Sequence, residues 1–247
     1  MGFFRSLRAW RAVVIVGALY GFPAQLTANQ LGLSSLEPNP LDAQPFGLSA
    51  SVLAYGGARE KWLAVQRRLD DDMVQLALCD GDRERCVSPA ALQFLAIVDA
   101  GRTREGRGRL GEINRAINLA IRPTSDLAQF GVTDVWSSPL ATFTSGAGDC
   151  EDYAIAKYAA LRQVGVSADD LRVLILHDTL HDEDHAVAAA RLDGRWLMLD
   201  NRRMAMIEDA DVRNYRPTFV ISQHGIMKYI VPQLVADISF ETRRDTK

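Results

Sequence analysis

Apolar side chains recur at helical spacing in three segments between residues 59 and 123. The first segment places five of them on one helical face: Trp62, Val65, Leu69, Met73 and Leu76. The second has Ser88 in position to cap a helix and Pro89 at the first helical position, and it stops at Gly101. The third repeats the spacing and ends before Pro123. The pattern predicts three helices that bury their apolar faces in a common core.

After one more helical segment, from Cys150 to Gly165, the pattern becomes typical of strands. Turn residues separate four stretches of strand-forming residues: LRVLILH, HAVAAARL, RWLMLDN and TFVISQHG. Asp193-Gly194, between the second and the third, is the strongest short hairpin signal. The order predicts an α+β domain, in which N-terminal helices and a cysteine-bearing helix pack on an antiparallel sheet.

The amino-terminal segment differs from the rest of the chain. It has three arginines and no acid, then an apolar run that is short for a membrane span, with small residues near Ala28. This predicts a signal peptide over residues 1–28, an extended entry segment over residues 29–58, and one exported domain over residues 59–247. Cleavage would make the formal charge of −3 three units more negative, and no basic stripe is present, so we expect no nucleic-acid binding.

The chain has three cysteines, and two of them are close in sequence. In an oxidising compartment Cys79 and Cys86 can bridge a small polar loop and leave Cys150 as the odd thiol. The alternative is a metal site on the close pair, although two ligands without further partners make a weak site. Cys150 is then either a buried, inert thiol or a reactive one.

The two-residue hairpin loop fixes the register of the strands that it joins. Pairing outward from the loop sets Val187 opposite Asp200, and it points His185 to the same sheet face as Asp200. Such diagonal neighbours are roughly 7–8 Å apart at the backbone, within reach of a hydrogen bond between long or planar side chains. If the helix that begins at Cys150 packs on that face, the sequence supplies a nucleophile, a base and an orienting acid. The alternative is a histidine in a turn and an aspartate that caps a loop.

Two other histidines, His177 and His181, precede His185 at intervals of four residues. This spacing would suit a zinc site on a helix. However, the acidic context between two predicted strands is not that of an H-E-x-x-H helix. We therefore favour His185 as the base over a zinc site.

Three carboxylates surround Cys150: Asp149, Glu151 and Asp152. Asp149 is in position to cap the predicted helix and Asp152 lies three residues later, so we expect a capping role. Capping does not account for three acids, because each of them raises the pKa of the thiol by like-charge repulsion. The N–H groups at the helix start act in the opposite direction, since they lower the pKa of the thiol and can hold an oxyanion.

Three stretches of the sequence, DVWSSPLATF, GDCEDYAIAKYAALRQVG and DHAVAAARLDGRWLMLDN, resemble the bacterial transglutaminase-like cysteine proteases. This is the family of the LapG-type periplasmic adhesin proteases, and the resemblance runs from about residue 60 to residue 235. It implies a papain-like or transglutaminase-like fold and a catalytic triad of Cys150, His185 and Asp200. Residues 59–247 would then be a cysteine protease domain in the periplasm.

The resemblance also implies a metal ion and specific partners. Family members bind calcium through acids beside the cysteine, here Asp149 and Glu151, with Asp152 and Asp134 as further candidate ligands. Carboxylate oxygens suit calcium, and the ion would reverse the local charge. Family members cleave large surface adhesins near their N terminus, at paired alanines, and so release cells from biofilms. A cyclic-di-GMP-responsive inner-membrane receptor sequesters them.

Two other functions remain open from the sequence. A transglutaminase-type acyl transferase would use the same triad, because only the acceptor differs. A noncatalytic, calcium-dependent binding module would use Cys150 as a structural residue.

Overall fold

The computed structural model describes residues 44–230. The predicted signal peptide, residues 29–43 of the predicted entry segment and the chain after residue 230 therefore lie outside the described residues. Within the described range, no helix has the length and apolar character that a membrane crossing requires.

The predicted helices form, and their apolar faces are buried. Six α-helices are described: α1 (Gly57–Gly81), α2 (Pro89–Arg102), α3 (Gly106–Ala120), α4 (Asp126–Phe130), α5 (Pro139–Ser145) and α6 (Cys150–Gln163). Ser88 caps α2 as predicted, since its hydroxyl accepts a hydrogen bond from the Ala91 N–H. Helices α2, α3, α5 and α6 pack together and bury the apolar positions that the spacing identified.

The strands form one antiparallel sheet of seven strands and one short parallel pair within residues 44–230. The sheet contains β1 (Ser49–Val52), β4 (Leu171–Asp178), β5 (Glu183–Leu192), β6 (Arg195–Leu199), β7 (Ile207–Glu208), β8 (Tyr215–Ser222) and β9 (Gly225–Ile230). Its order is β1-β9-β8-β4-β5-β6-β7, and β2 (Arg122–Pro123) pairs with β3 (Ala147–Gly148) outside it. The α+β prediction is confirmed. The entry segment is not merely a connection, because residues 49–52 form an edge strand against β9.

The register of the β5–β6 hairpin is the predicted one. Leu192 pairs with Arg195, and the last pair joins Ala188 to Leu199. Asp193 and Gly194 both have positive φ, at 52° and 79°, as the tight two-residue turn requires. Asp200 therefore follows directly after the end of β6, opposite the part of β5 that carries His185.

Both faces of the sheet are covered. Ala186, Ala188 and Ala190 of β5 face the helices, and their small side chains let α6 approach the strand closely. Val187 and Ala189 belong to a second apolar cluster on the opposite face, to which Phe46 and Leu48 also contribute. Successive residues of a strand point to opposite faces, so His185 lies on the side of this second cluster.

The predicted disulfide is present. Cys79, near the end of α1, is bonded to Cys86 in the loop before α2, and Cys150 is a free thiol. The alternative of a metal site on the close pair is wrong, because both sulfur atoms are used in the bond.

Candidate active site

His185 and Asp200 form a buried hydrogen-bonded pair. Their atoms Nε2 and Oδ1 are 3.0 Å apart, and each residue is at most 3% exposed. Oδ1 also accepts from the Arg202 N–H at 2.9 Å, and Oδ2 accepts from the Tyr215 hydroxyl at 2.5 Å. Burial by itself would raise the pKa of the Asp200 carboxyl, but these hydrogen bonds and the histidine outweigh it and hold that pKa well below its usual range.

The sequence-based hypothesis needed the helix of Cys150 to pack on the sheet face that carries His185. The helix packs on the opposite face. It contacts Ala186, Ala188 and Ala190, whereas His185 points to the other side. The thiol instead reaches the histidine strand at its edge, near the Ala186 N–H, which acts to lower the pKa of the thiol. This part of β5 has no partner in β6, because β6 ends at the residue that pairs with Ala188.

The second ring nitrogen of His185, Nδ1, is buried and has no hydrogen-bond partner among the described residues. A neutral imidazole that donates from Nε2 to a carboxylate must carry its lone pair on Nδ1. The site therefore combines a histidine that has a free acceptor nitrogen with the thiol of Cys150, which lies near the backbone of the next residue in that strand, Ala186.

The surroundings of Cys150 oppose ionisation of its thiol. Burial raises its pKa far above the usual range, and the charges of Glu151 and Asp149 raise it further. Sγ donates to Oε2 of Glu151 at 2.9 Å, and this hydrogen bond also raises the pKa of the thiol. Something must offset these negative charges before the thiol can become a nucleophile.

Three aspartates meet beside the cysteine: Asp126, Asp149 and Asp152. Each offers a carboxylate oxygen, and the three oxygens lie within 4.8 Å of one another. Asp126 and Asp152 are almost fully buried, and one oxygen of each of the three residues has no hydrogen-bond partner among the described residues. Burial, with the neighbouring acids, raises the pKa of Asp149 to about 9. The pKa of Asp152 rises to about 7, mainly through burial and partly through Asp126 and Glu151, against the hydrogen bond from Ser137.

These three carboxylates are better suited to binding a hard cation than to lying together without one. A buried acceptor without a partner costs about 1–3 kcal/mol, and three such oxygens of like charge repel one another. Calcium takes carboxylate oxygens in flexible arrangements. Glu151 lies beside the group, because its carboxylate contacts both the Cys150 thiol and Asp149.

The structure does not bring Asp134 into this group. Its carboxylate pairs with Lys61 and accepts from Nε1 of Trp136 at 3.0 Å, and about half of its side chain is exposed. Asp126 takes a place that sequence reasoning missed. Strand β2 precedes Asp126, strand β3 precedes Asp149, and the pairing of the two strands brings these aspartates together. No local sequence pattern predicts this pairing.

The expected capping role of the acids is wrong. Asp149 occupies the N-cap position of α6, but its side chain makes no capping hydrogen bond. Asp152 instead accepts the Ser137 N–H at 2.8 Å, which ties the loop before α5 to the helix start.

The alternative of a zinc site on the histidines finds no support. His181 contacts Asp178 at 2.6 Å, and His177 lies near the exposed Asp182 and Asp184. Among the described residues, only the three aspartates converge as metal ligands would.

A free cysteine at the start of a helix, beside a hydrogen-bonded His–Asp pair, is the arrangement that a thiol enzyme requires. The family model of the bacterial transglutaminase-like cysteine proteinases matches residues 73–225, more than half of the chain. The chain belongs to this family and is a cysteine proteinase.

Solved structures agree on the fold. LapG from Legionella pneumophila is 22% identical, covers 64% of this chain and 87% of its own, and has a TM-score of 0.53. Its calcium-bound form is 23% identical, covers 56% and 77%, and has a TM-score of 0.51. Its EGTA-treated form is 22% identical, covers 64% and 84%, and has a TM-score of 0.53. No curated protein matches significantly.

Proposed function

We propose that this protein is an exported, calcium-dependent cysteine endopeptidase that works through Cys150, His185 and Asp200. One observation carries the proposal. His185 is fixed to Asp200 through Nε2 and keeps a buried, unpartnered Nδ1, at the strand edge where the Cys150 thiol lies. A base with a free acceptor nitrogen beside a thiol is what nucleophilic catalysis requires.

The steps follow from these positions. The proton of the thiol passes to Nδ1 of His185, and Asp200 holds the ring and stabilises its charged form. The thiolate attacks the peptide carbonyl, and the N–H groups at the start of α6 stabilise the negative oxygen of the tetrahedral intermediate. The C–N bond breaks as the imidazolium returns a proton to the leaving amine, which leaves a thioester. Water then attacks the thioester with His185 again as base, and the acid and the free thiol are released.

The acids beside Cys150 make the activity depend on a cation. Asp126, Asp149 and Asp152 would hold calcium, with Glu151 as a further ligand. When bound, the ion supplies positive charge that offsets the carboxylates around the thiol. Because Glu151 now accepts the hydrogen bond of the thiol, positive charge beside this carboxylate would weaken its hold on the thiol proton. The existence of calcium-bound and EGTA-treated forms of Legionella LapG supports this choice of cation.

The proposed substrate is a large surface adhesin, cut near its N terminus to control biofilm attachment. The proposed location is the periplasm, and the proposed regulator is an inner-membrane receptor that responds to cyclic-di-GMP. These proposals rest on membership of the family and on the composition of residues 1–28.

The test is cleavage of recombinant adhesin N-terminal fragments that contain paired alanines. Cys150→Ala and His185→Ala should abolish cleavage in folded protein, and Asp200→Asn should leave a weak residual rate because it misorients the base. EGTA should remove activity and lower the thermal midpoint, and calcium but not magnesium should restore both. Full cleavage by His185→Ala would place the base elsewhere, and indifference to EGTA would refute the calcium dependence.

Two further assays separate the alternatives. Incorporation of a fluorescent primary amine into the fragments, in place of cleavage, would indicate acyl transfer. Slow alkylation of Cys150 by iodoacetamide near neutral pH, with calcium present, would indicate a structural thiol and a noncatalytic module.

A further inference from the structure

Lys157 is a fully buried lysine on the cysteine helix, two turns after Cys150. None of its surface is exposed, its Nζ donates to the Leu199 carbonyl at 3.1 Å, and the ring of Tyr153 lies 5.7 Å from the ammonium. Burial lowers the pKa of Lys157 to about 7, partly offset by the negative charge of Asp200. The lysine therefore connects the helix of the nucleophile to the residue that immediately precedes Asp200.

Two asparagines on α3 hold the same segment from another side. Asn118 Nδ2 donates at 2.9 and 3.1 Å, and Asn114 Nδ2 donates at 3.2 and 3.1 Å. With the lysine, they bind the carbonyl oxygens of Leu199, Asp200, Arg203 and Met204. We call Lys157, Asn114 and Asn118 the carbonyl clamp.

Asp200 needs such a clamp because no strand partner holds its backbone. The β5–β6 ladder ends at Leu199, so Asp200 begins an irregular segment. An aspartate that must orient an imidazole tolerates little displacement, since an error of about 1 Å can lower a rate roughly 100-fold.

Stability gives a poor account of Lys157. Withdrawing an ammonium from water costs more than one hydrogen bond to a carbonyl returns, and apolar residues of similar size often replace buried charges without loss of stability. The contact of Lys157 with the residue before Asp200 points instead to a role in holding that segment.

We propose that Lys157 and Asn118 are positioning residues for Asp200 in the reaction. The inference rests on the proposed function, because the position of Asp200 matters only if the His185–Asp200 pair serves the Cys150 thiol.

The experiment compares Lys157→Met with Leu161→Met, a volume-conserving change at an equally buried position of the same helix. Cleavage of an adhesin N-terminal fragment with paired alanines gives kcat and KM in calcium. The proton resonance of the His185 N–H that donates to Asp200 gives a signature that needs no substrate. Lys157→Met should lower kcat about 10- to 100-fold, leave KM within about twofold, shift or broaden the resonance, and keep or raise the thermal midpoint. Asn118→Ala should change kcat and the resonance in the same direction, and Leu161→Met should change neither.

The outcomes separate this inference from the proposed function. If Asp200→Asn loses activity while Lys157→Met keeps the wild-type kcat and resonance, the positioning role is wrong and the triad stands. A loss of kcat in Lys157→Met that follows a lower thermal midpoint, or that Leu161→Met reproduces, also overturns the positioning role. If Asp200→Asn keeps full activity, the proposed function fails first.

Discussion

Removal of the Tyr215 hydroxyl tests whether Asp200 is held as an ionised carboxylate. Tyr215 belongs to the second apolar cluster, its ring centroid lies 5.8 Å from that of His185, and its hydroxyl donates to Oδ2 of Asp200. Tyr215→Phe keeps the ring and removes one of the three groups that bind the carboxylate.

The magnitude follows from the contact. A hydrogen bond to a buried charged group contributes about 1.5–3 kcal/mol to the free energy of unfolding, and Oδ2 has no other hydrogen-bond donor among the described residues. For a domain of this size, each kcal/mol moves the thermal midpoint by about 2–4 °C, so we expect a fall of roughly 3–12 °C at pH 7.

The effect should depend on pH in a definite direction. The pKa of Asp200 is lower in the folded protein than in the unfolded chain, where it is about 3.9. The stabilisation is therefore fully present above that unfolded value, and it is lost as the pH falls toward the folded pKa. Tyr215→Phe weakens the interactions that lower the folded pKa, and the unfolded chain titrates alike in both proteins. The difference between wild type and variant should therefore stay constant at higher pH and narrow only as the pH falls through the folded pKa of the variant.

The assay is urea unfolding of wild type and variants between pH 7 and pH 3. The matched control is Tyr229→Phe, because Tyr229 is equally buried in the same cluster and its hydroxyl has no partner among the described residues. This control should be neutral or slightly stabilising. The reasoning is refuted if the free-energy cost of Tyr215→Phe grows as the pH falls, or if the two variants behave alike.

Three further predictions concern the surroundings of Cys150 and the disulfide. If calcium binds as proposed, Asp126→Asn should abolish the rise in thermal midpoint expected on adding calcium, whereas Asp134→Asn should leave it unchanged; equal effects in calorimetry would contradict the ligand assignment. Gly148→Ala should destabilise the protein by about 1–3 kcal/mol in urea unfolding and weaken calcium binding, since a Cβ there would lie 2.6 Å from a buried carboxylate oxygen of the aspartate group. Reduction of the Cys79–Cys86 bond should cost about 2–3 kcal/mol without changing calcium-dependent activity, and a loss of activity in the folded, reduced protein would contradict this.

The sequence by itself determined the helices, the register of one hairpin and the disulfide, because each depends on residues that are close in the chain. The apolar spacing, the Ser88 cap and Pro89 define helices because the period of a helix is fixed. The Asp193-Gly194 turn sets the register of β5 and β6. Because side chains alternate between the two faces of a strand, this register places His185 where it can bind Asp200. The disulfide follows from an odd number of cysteines and a short separation.

Only the tertiary structure decided how distant segments meet. The helix of Cys150 lies on the opposite face of the sheet from His185, so the thiol approaches along the open edge of β5. Asp126 joins the acids beside the cysteine, whereas Asp134 pairs with Lys61. Periodicity states which side of its own element a residue occupies, but the face on which a helix packs and the loops that pair depend on the packing of the whole chain.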